Sequence, residues 1–250
     1  AALGIPFLEV DLSAEYQKRV VDDTIASYER GETPNPDVLC NEYIKFGAFL
    51  KWALAHGAEK IATGHYARIV VSPTYDNAVG RTYLMRGVDR GKDQSYFLHR
   101  ISGDDLGRVL FPIGGYPKKK IRAMAQSFGL PNAKRKDSQG LCFVGDIDIG
   151  EFLSRFRTAE AGDVLDRDGR VIGKHEVYMR YTIGARHGFT VTGDTSGGPH
   201  YVVAIDAKKN TITVSSSPKD AERSRVSVID THWIGEPPQA GRTYDAEVRY

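Results

Sequence analysis

The first part of the chain alternates short apolar runs with longer segments whose apolar residues recur every three or four positions. Residues 6–12 predict a strand, and a helix follows from residue 13 to about residue 29, where Gly31 ends it. A second helix ends at His56 and Gly57, and residues 60–63 predict a short strand. The order strand, helix, helix, strand predicts a parallel α/β sheet with crossover connections.

From about residue 159 the pattern changes to short alternating runs separated by turns. Asp168-Gly169 and residues 208–210 are strong hairpin signals between such runs. Strands are predicted at 162–165, 200–206, 211–214 and 244–250. This part is therefore predicted to be a β-barrel or a sandwich. Between the two parts, a helix begins at Pro117 and stops at Gly129.

Positive charge is concentrated in the middle of the chain. Residues 81–140 contain thirteen Lys or Arg, five Asp and no Glu, a net charge of +8 against +2 for all 250 residues. The cluster includes residues 118–120, Arg122 and residues 134–136. It fits a surface that binds a phosphate backbone, although a solvated face of ordinary lysines has the same composition. No stretch approaches the roughly 18 continuous apolar residues that a membrane span needs.

The two cysteines both follow polar, turn-like segments. Cys40 ends residues 33–40, where two prolines and Asp37 precede it, and Cys142 ends residues 136–142. Nearby charged groups could shift a thiol pKa or transfer a proton. A structural disulfide and two unrelated core thiols are the alternatives. Two cysteines in 250 residues, without a signal-peptide pattern, indicate a reducing compartment, in which a disulfide is more often transient and catalytic.

Two further segments combine groups suited to binding. Gly64 and His65 follow a predicted strand, where ligands approach parallel sheets, although a glycine after a strand is usually a turn. Lys92, Asp93 and Gln94 place a donor, an acceptor and an amide side by side, which suits phosphate or base recognition. Asp93 could equally cap a helix, with Gln94 merely solvated. The seven histidines lack metal-ligand spacing, so no metal site held by the protein is predicted.

Five segments, in order and spacing, resemble the tRNA-specific 2-thiouridylase (MnmA/TrmU) family. They are residues 33–41, 62–66, 91–98, 136–143 and 181–188. The resemblance implies an α/β fold with a parallel-sheet nucleotide-binding domain (PP-loop, adenine nucleotide alpha hydrolase-like), a small helical central domain and a carboxyl-terminal β-barrel. The implied domains are residues 1–110 for the remainder of the catalytic domain, 111–158 for the basic tRNA-binding domain and 159–250 for an incomplete barrel.

In function, the resemblance implies an ATP-dependent tRNA-uridine 2-sulfurtransferase. ATP with Mg²⁺ would adenylate the C2 carbonyl oxygen of the wobble uridine, because AMP is a far better leaving group than the oxygen itself. Cys142 would carry sulfur as a persulfide received from a donor protein, either a sulfur relay protein or a cysteine desulfurase. Cys40 would release the sulfur by forming a disulfide with Cys142. The resemblance also implies a cytoplasmic monomer without membrane attachment.

Individual residues acquire implied roles by matching the family's motifs. Asn35, Pro36 and Asp37 would contact the target base, with Asp37 the candidate proton shuttle. Gly64 would lie against ATP. The implied tRNA contacts are His65, Lys92, Asp93, Gln94, Arg249 and Tyr250.

The family's pyrophosphate loop, of the form Ser-Gly-Gly-Val-Asp-Ser, does not precede Ala1, and the family's barrel continues beyond Tyr250. We therefore expect this polypeptide alone neither to bind ATP well nor to thiolate tRNA.

Two functions from other classes stay open. A non-catalytic RNA-binding module would use the basic segment and the barrel equally well, and it would tolerate Cys142→Ser. A thiol–disulfide oxidoreductase would use both cysteines, but such enzymes usually place them two residues apart at a helix start, whereas Cys40 and Cys142 are about a hundred apart.

Overall fold

A computed structural model describes residues 3–72, 81–135, 160–192, 198–222 and 224–246 of the chain. The chain divides into two compact units. The α/β unit comprises Ala1–Glu15, Val38–Lys136 and Asp230–Tyr250, and the barrel unit comprises Tyr16–Asp37 and Asp137–Ile229. The barrel unit thus includes residues 16–37, which the sequence grouped with the α/β domain.

Two long helical stretches open the structure. The first consists of α1 (Ser13–Tyr16), a π-helical turn (Gln17–Val21) and α2 (Asp22–Glu29). The second consists of α3 (Pro36–Leu39), a π-helical segment (Cys40–Phe49) and α4 (Leu50–Ala55). Gly31 and Gly57 follow them with φ of +77° and +88°, the left-handed conformation in which glycine ends helices, as the sequence predicted. Within the described ranges, no helix has the length and apolar character needed to cross a bilayer.

The strands of the α/β unit form two small sheets. Strands β1 (Ile61–Ala62) and β4 (Val109–Leu110) pair in parallel, whereas β2 (Ala67–Ser72) and β3 (Arg81–Arg86) are antiparallel. A 3₁₀ turn (Ser95–Leu98) and α5 (Gly103–Leu106) connect β3 to β4, and α6 (Lys118–Ser127) follows. The fully buried Leu50, Leu98 and Leu106 belong to one core cluster, which also contains residues of β1, β2 and β4. The predicted short strand, its parallel pairing and the helix after Pro117 are confirmed.

The predicted strand at residues 6–12 is wrong. These residues form no strand, and Phe7 is 83% exposed. A strand is stable only when its backbone groups pair with a neighbouring strand, and none of the described strands pairs with this segment. Alternation of apolar side chains alone does not supply that partner.

The barrel unit contains a five-stranded mixed sheet. Its strands are β5 (Gly162–Leu165), β6 (Val171–His175), β7 (Phe189–Val191), β8 (Tyr201–Asp206) and β9 (Thr211–Ser215). They lie in the order β7-β6-β5-β9-β8, with β5 and β9 parallel and the other pairs antiparallel. Val164, Val202 and Ile212 are completely buried in its core.

Both predicted hairpin turns are present. Gly169 has φ of +83° between β5 and β6, and Asn210 has φ of +52° between β8 and β9. The carboxylate of Asp166 accepts hydrogen bonds from the backbone N–H groups of Asp168 and Arg170, which closes the first turn. Of the strand predicted at 244–250, residues 244–246 form none, and the others lie outside the described residues.

A close backbone approach holds the start of β2 against the turn before α6. A Cβ atom added to Gly114 would lie 1.6 Å from the carbonyl oxygen of Ala67, so only glycine fits. The carbonyl of Gly114 also accepts a hydrogen bond from the backbone N–H of Val88, at 3.0 Å. The neighbouring Gly115 is open, because an added Cβ would meet no atom within 4 Å.

We expect Gly114→Ala to lower the free energy of unfolding by about 3 kcal/mol, because the methyl group forces the two backbone segments apart. Gly115→Ala is the matched control and should change it by less than about 0.5 kcal/mol. Urea denaturation followed by fluorescence and circular dichroism measures both values. Equal stabilities for the two variants would contradict the predicted close packing.

Candidate functional site

The segment before Cys40 is the start of a helix. The side-chain oxygen of Asn35 accepts a hydrogen bond from the backbone N–H of Asp37 at 3.1 Å, and Pro36 is the first helical residue. Asn before a helix and Pro at its first position are both favoured, so the Asn-Pro-Asp sequence is explained locally. Cys40 follows one turn later and is 0% exposed. Among the described residues, the buried Oδ1 atom of Asp37 has no hydrogen-bond partner.

The second cysteine and the last two implied tRNA contacts cannot be placed beside this helix. Cys142, Arg249 and Tyr250 lie outside the described residues. Their roles, and the disulfide between Cys40 and Cys142, stay predictions.

Gly64 and His65 follow the carboxyl end of β1. Gly64 is exposed, and an added Cβ would meet no atom within 4 Å, so a ligand can approach its backbone. His65 is buried, and its ring lies about equally far from the rings of Phe46 and Phe111, with centroids 5.8 and 5.9 Å away. The Nδ1 atom of His65 shares a hydrogen bond of 2.8 Å with the hydroxyl of Thr63.

The imidazole of His65 is uncharged at neutral pH. Burial, and secondarily the positive charge of Lys45, lower the pKa of His65 from 6.5 to about 4. A contact between His65 and RNA would therefore be made by a neutral ring. The implied roles of Gly64 and His65 stay predictions.

The loop at residues 87–95 is fixed by Asp93. This carboxylate is 7% exposed, and its Oδ1 atom accepts from the backbone N–H groups of Gly87 and Ser95, at 2.9 and 3.3 Å. Its Oδ2 atom accepts from the hydroxyl of Ser95 at 2.8 Å. Asp93 therefore closes the loop and forms an Asx turn with Ser95, the first residue of the 3₁₀ turn, whose N-cap position is Gln94.

Gln94 ties the same loop to the backbone beside His65. Its N–H donates to the carbonyl of Tyr66, and its side-chain oxygen accepts from the N–H of Tyr66, both at 3.0 Å. Lys92 is exposed, unlike the buried Asp93 and the half-buried Gln94. Of the three implied tRNA contacts in this loop, Lys92 is thus the one fully accessible to a polyanion.

Asp89 joins this loop to the basic helix α6. Its carboxylate accepts from the backbone N–H of Lys118 at 2.9 Å, which caps α6, and its carbonyl accepts from the N–H of Lys92. The Nζ atom of Lys118 lies 5.9 Å from the ring centroid of Tyr66. The structure therefore brings together the end of β1, the loop of Lys92 and the lysine-rich first turn of α6.

Asn41, Glu42 and Arg100 hold the Cys40 helix, and no role was predicted for them. The side-chain amide of Asn41 donates to the carbonyl of Phe97 at 3.2 Å, and the guanidinium of Arg100 donates to Glu42 at 2.5 Å. Arg100 also contacts Asp230 at 3.1 and 3.2 Å. The first two contacts join residues 56 and 58 positions apart, so no local pattern could have indicated them.

Nowhere in the described part of the chain do three His, Cys, Asp or Glu side chains gather as a metal site would require.

Two family models match the chain. The model described as tRNA methyl transferase HUP domain matches residues 1–146, and the model described as tRNA methyl transferase PRC-barrel domain matches residues 150–216. Together with the parallel pair β1/β4 and the curled five-stranded sheet, they confirm the predicted fold class of a nucleotide-binding α/β domain followed by a β-barrel domain.

Relatives match over nearly the whole chain. The protein named tRNA-specific 2-thiouridylase MnmA from Cupriavidus pinatubonensis is 43% identical over 99% of this chain and 68% of the relative. Proteins of the same name from Nitrosomonas eutropha and Thiobacillus denitrificans are 42% and 43% identical, over 99% of this chain and 68% and 69% of the relatives.

The buried His65 predicts a pH dependence of stability. Because its pKa is about 4 in the folded state and 6.5 in the unfolded state, unfolding takes up a proton between these values, and stability falls as pH decreases through that window. We expect His65→Gln to reduce this loss, whereas His99→Gln, at an exposed histidine, leaves it unchanged. Urea unfolding at pH 7.5, 6, 5 and 4 measures the slopes. Parallel slopes for the chain and the His65 variant would refute the buried neutral imidazole.

Proposed function

Because the chain belongs to the tRNA-specific 2-thiouridylase family, we propose that it replaces the C2 oxygen of the wobble uridine of tRNA with sulfur. The observation that carries this proposal is 43% identity to proteins of that name over 99% of the chain. Family membership alone would leave the residue roles open. The geometry around Cys40, Gly64 and the loop at 87–95 supports specific assignments.

The proposed chemistry uses two bond exchanges at sulfur. ATP, supplied with Mg²⁺, would transfer AMP to the C2 oxygen and release pyrophosphate, so that this oxygen becomes part of a good leaving group. The terminal sulfur of a Cys142 persulfide bonds to C2, and the oxygen departs with AMP. The thiolate of Cys40 then attacks Sγ of Cys142, the bond to the transferred sulfur breaks, and that sulfur keeps the electron pair. The products are 2-thiouridine and a disulfide between Cys40 and Cys142, which a thiol reductant reopens. A persulfide donor protein recharges Cys142.

The start of the Cys40 helix suits its proposed part in this sequence. The buried Oδ1 atom of Asp37, unpaired among the described residues, is an acceptor for a proton from the target base or from a thiol. Asn35 and Pro36 fix the backbone on which Asp37 is presented. Since Cys40 is fully buried, we propose that the side chains covering its thiol move aside before the attack on Cys142, while the helix that carries Cys40 keeps its place.

The proposed tRNA surface is the loop at 87–95 together with the first turn of α6. Lys92, Lys119 and Lys120 are exposed there and can neutralise phosphates. Asp93 and Gln94 would serve RNA binding by holding the loop in shape. Gly64, with open space beside its backbone, is the proposed point of contact with ATP.

A non-catalytic RNA-binding module is the second candidate, and the burial of Cys40 favours it. It would keep the basic surface and need neither cysteine to react. Cysteine dependence separates the two functions.

The decisive experiment incubates the complete protein with a persulfide donor, ATP and unmodified tRNA, and measures 2-thiouridine by mass spectrometry. We expect product from the wild type and none from Cys40→Ser or Cys142→Ser. Intact mass should show a sulfur adduct on Cys142 in the Cys40→Ser variant, and all three proteins should bind tRNA equally. Tight tRNA binding without adduct or 2-thiouridine in the wild type would establish the RNA-binding module instead.

A second test addresses the RNA surface. We expect Lys92→Ala to weaken tRNA binding and to reduce the slope of log affinity against log salt by about 1, because one phosphate contact is lost. Lys51→Ala, at an exposed lysine on α4, is the matched control and should leave the slope unchanged. Filter binding between 50 and 200 mM salt, roughly the range over which such contacts weaken, measures both. An unchanged slope for Lys92→Ala would remove this loop from the RNA surface.

A further inference from the structure

We propose that Asn41, supported by Arg100, is a positioning residue that sets the place of Cys40 relative to the tRNA-contacting loop. This inference rests on the proposed function, because it concerns how Cys40 performs the last bond exchange. It gives a function to the contacts of Asn41 with Phe97 and of Arg100 with Glu42, which hydrophobic packing does not explain.

The helical stretch that contains Cys40 is held at two adjacent points. Asn41 Nδ2 donates to the carbonyl of Phe97 at 3.2 Å, and Glu42 accepts from Nε of Arg100 at 2.5 Å. Phe97 and Arg100 lie three residues apart on the same short segment. Two contacts between the same pair of segments fix their mutual orientation as well as their separation.

The side chain of Asn41 places an unpaired polar atom at a buried position. It is 2% exposed, and among the described residues its Oδ1 atom has no hydrogen-bond partner. A buried acceptor without a donor destabilises the folded state, whereas an apolar side chain of similar size would not. The unpaired Oδ1 atom offsets part of the stability that the bond to Phe97 contributes, so the reason we assign to Asn41 is the direction of that bond.

The segment that receives these contacts begins at the proposed RNA surface. Asp93 binds the N–H and the hydroxyl of Ser95, the first residue of the 3₁₀ turn that contains Phe97. Gln94 fixes the same point to Tyr66. A chain of hydrogen bonds therefore runs from the loop of Lys92 to the residue next to Cys40.

Fixed placement matters most for the final step. The thiolate of Cys40 must approach Sγ of Cys142 along one direction while the transferred sulfur is bonded to RNA. A displacement of about 1 Å at such a centre lowers rates by roughly 100-fold. Loss of the contacts from Asn41 to Phe97 and from Arg100 to Glu42 should consequently reduce the rate of sulfur release while leaving tRNA binding intact.

The test compares Asn41→Leu with the wild type of the complete protein. Leucine removes the unpaired Oδ1 atom but also leaves the carbonyl of Phe97 without this donor, so the two effects offset each other and the variant should be folded with thermal stability near that of the wild type. We expect kcat for 2-thiouridine formation to fall by about 10-fold or more, with KM for tRNA changed by less than about 2-fold. In a single turnover of persulfide-loaded enzyme, the disulfide between Cys40 and Cys142 should form more slowly by the same factor.

Arg100→Lys tests the second contact if Asn41→Leu does not fold. Lysine keeps the charge, but it lacks the planar fork with which Arg100 reaches both Glu42 and Asp230. We expect kcat to fall by about 3-fold or more while thermal stability holds. Arg81→Lys is the matched control, since among the described residues Arg81 forms its ion pair with Glu236 of the same carboxyl-terminal segment rather than with the Cys40 helix.

The outcomes separate this inference from the proposed function. A wild type that makes no 2-thiouridine overturns both. If the wild type needs Cys40 but the folded Asn41→Leu and Arg100→Lys variants keep the wild-type kcat and rate of disulfide formation, the positioning role alone is overturned.

Discussion

The buried carboxylate of Asp93 is the constraint on which the α/β unit's candidate site depends. A carboxylate removed from water is destabilising by several kcal/mol unless donors surround it, and here three donors from Gly87 and Ser95 converge on it. These three hydrogen bonds hold the loop in its observed shape. That shape brings Gly87 so close to Tyr66 that an added Cβ would lie 2.7 Å from the carbonyl oxygen of Tyr66. The exposed Lys92 and Asp89, which caps α6, lie on the same loop.

Buried polar contacts, rather than surface ion pairs, set the geometry of this unit. The side chains of Arg81 and Glu236 are 32% and 66% exposed, and such pairs contribute about 0–1 kcal/mol. The Arg100 and Glu42 side chains are only 26% and 20% exposed, so solvent screens their attraction less. The hydrogen bonds of Asp93, Gln94 and Asn41 are directional and largely shielded from water. They therefore specify one arrangement even where their net contribution to stability is small.

Local patterns predicted the helices and hairpins, and long-range pairing limited the rest. Gly31, Gly57 and Asp168-Gly169 each fix a turn within a few residues, so the sequence alone located those element ends. The segment at residues 6–12 alternates like a strand, but pairing needs a second strand that no local pattern reveals. Asn41 stood inside a motif already quoted for its cysteine, yet its partner lies 56 positions away. Asp93 was predicted as a recognition group or a helix cap, while its hydrogen bonds to the backbone of Gly87 and Ser95 depended on how the loop folds back, which no local pattern shows.

The route of the chain through the α/β unit has a consequence for its synthesis. The unit's third piece begins at Asp230, whose carboxylate contacts Arg100, and continues through Ile234, which packs on the unit's core. Every residue of the barrel unit is translated before this piece leaves the ribosome. The α/β unit consequently cannot complete its packing co-translationally until the barrel sequence has emerged. If a ribosome stalls within the barrel sequence, the nascent chain has the earlier residues of the α/β core but lacks the piece that begins at Asp230.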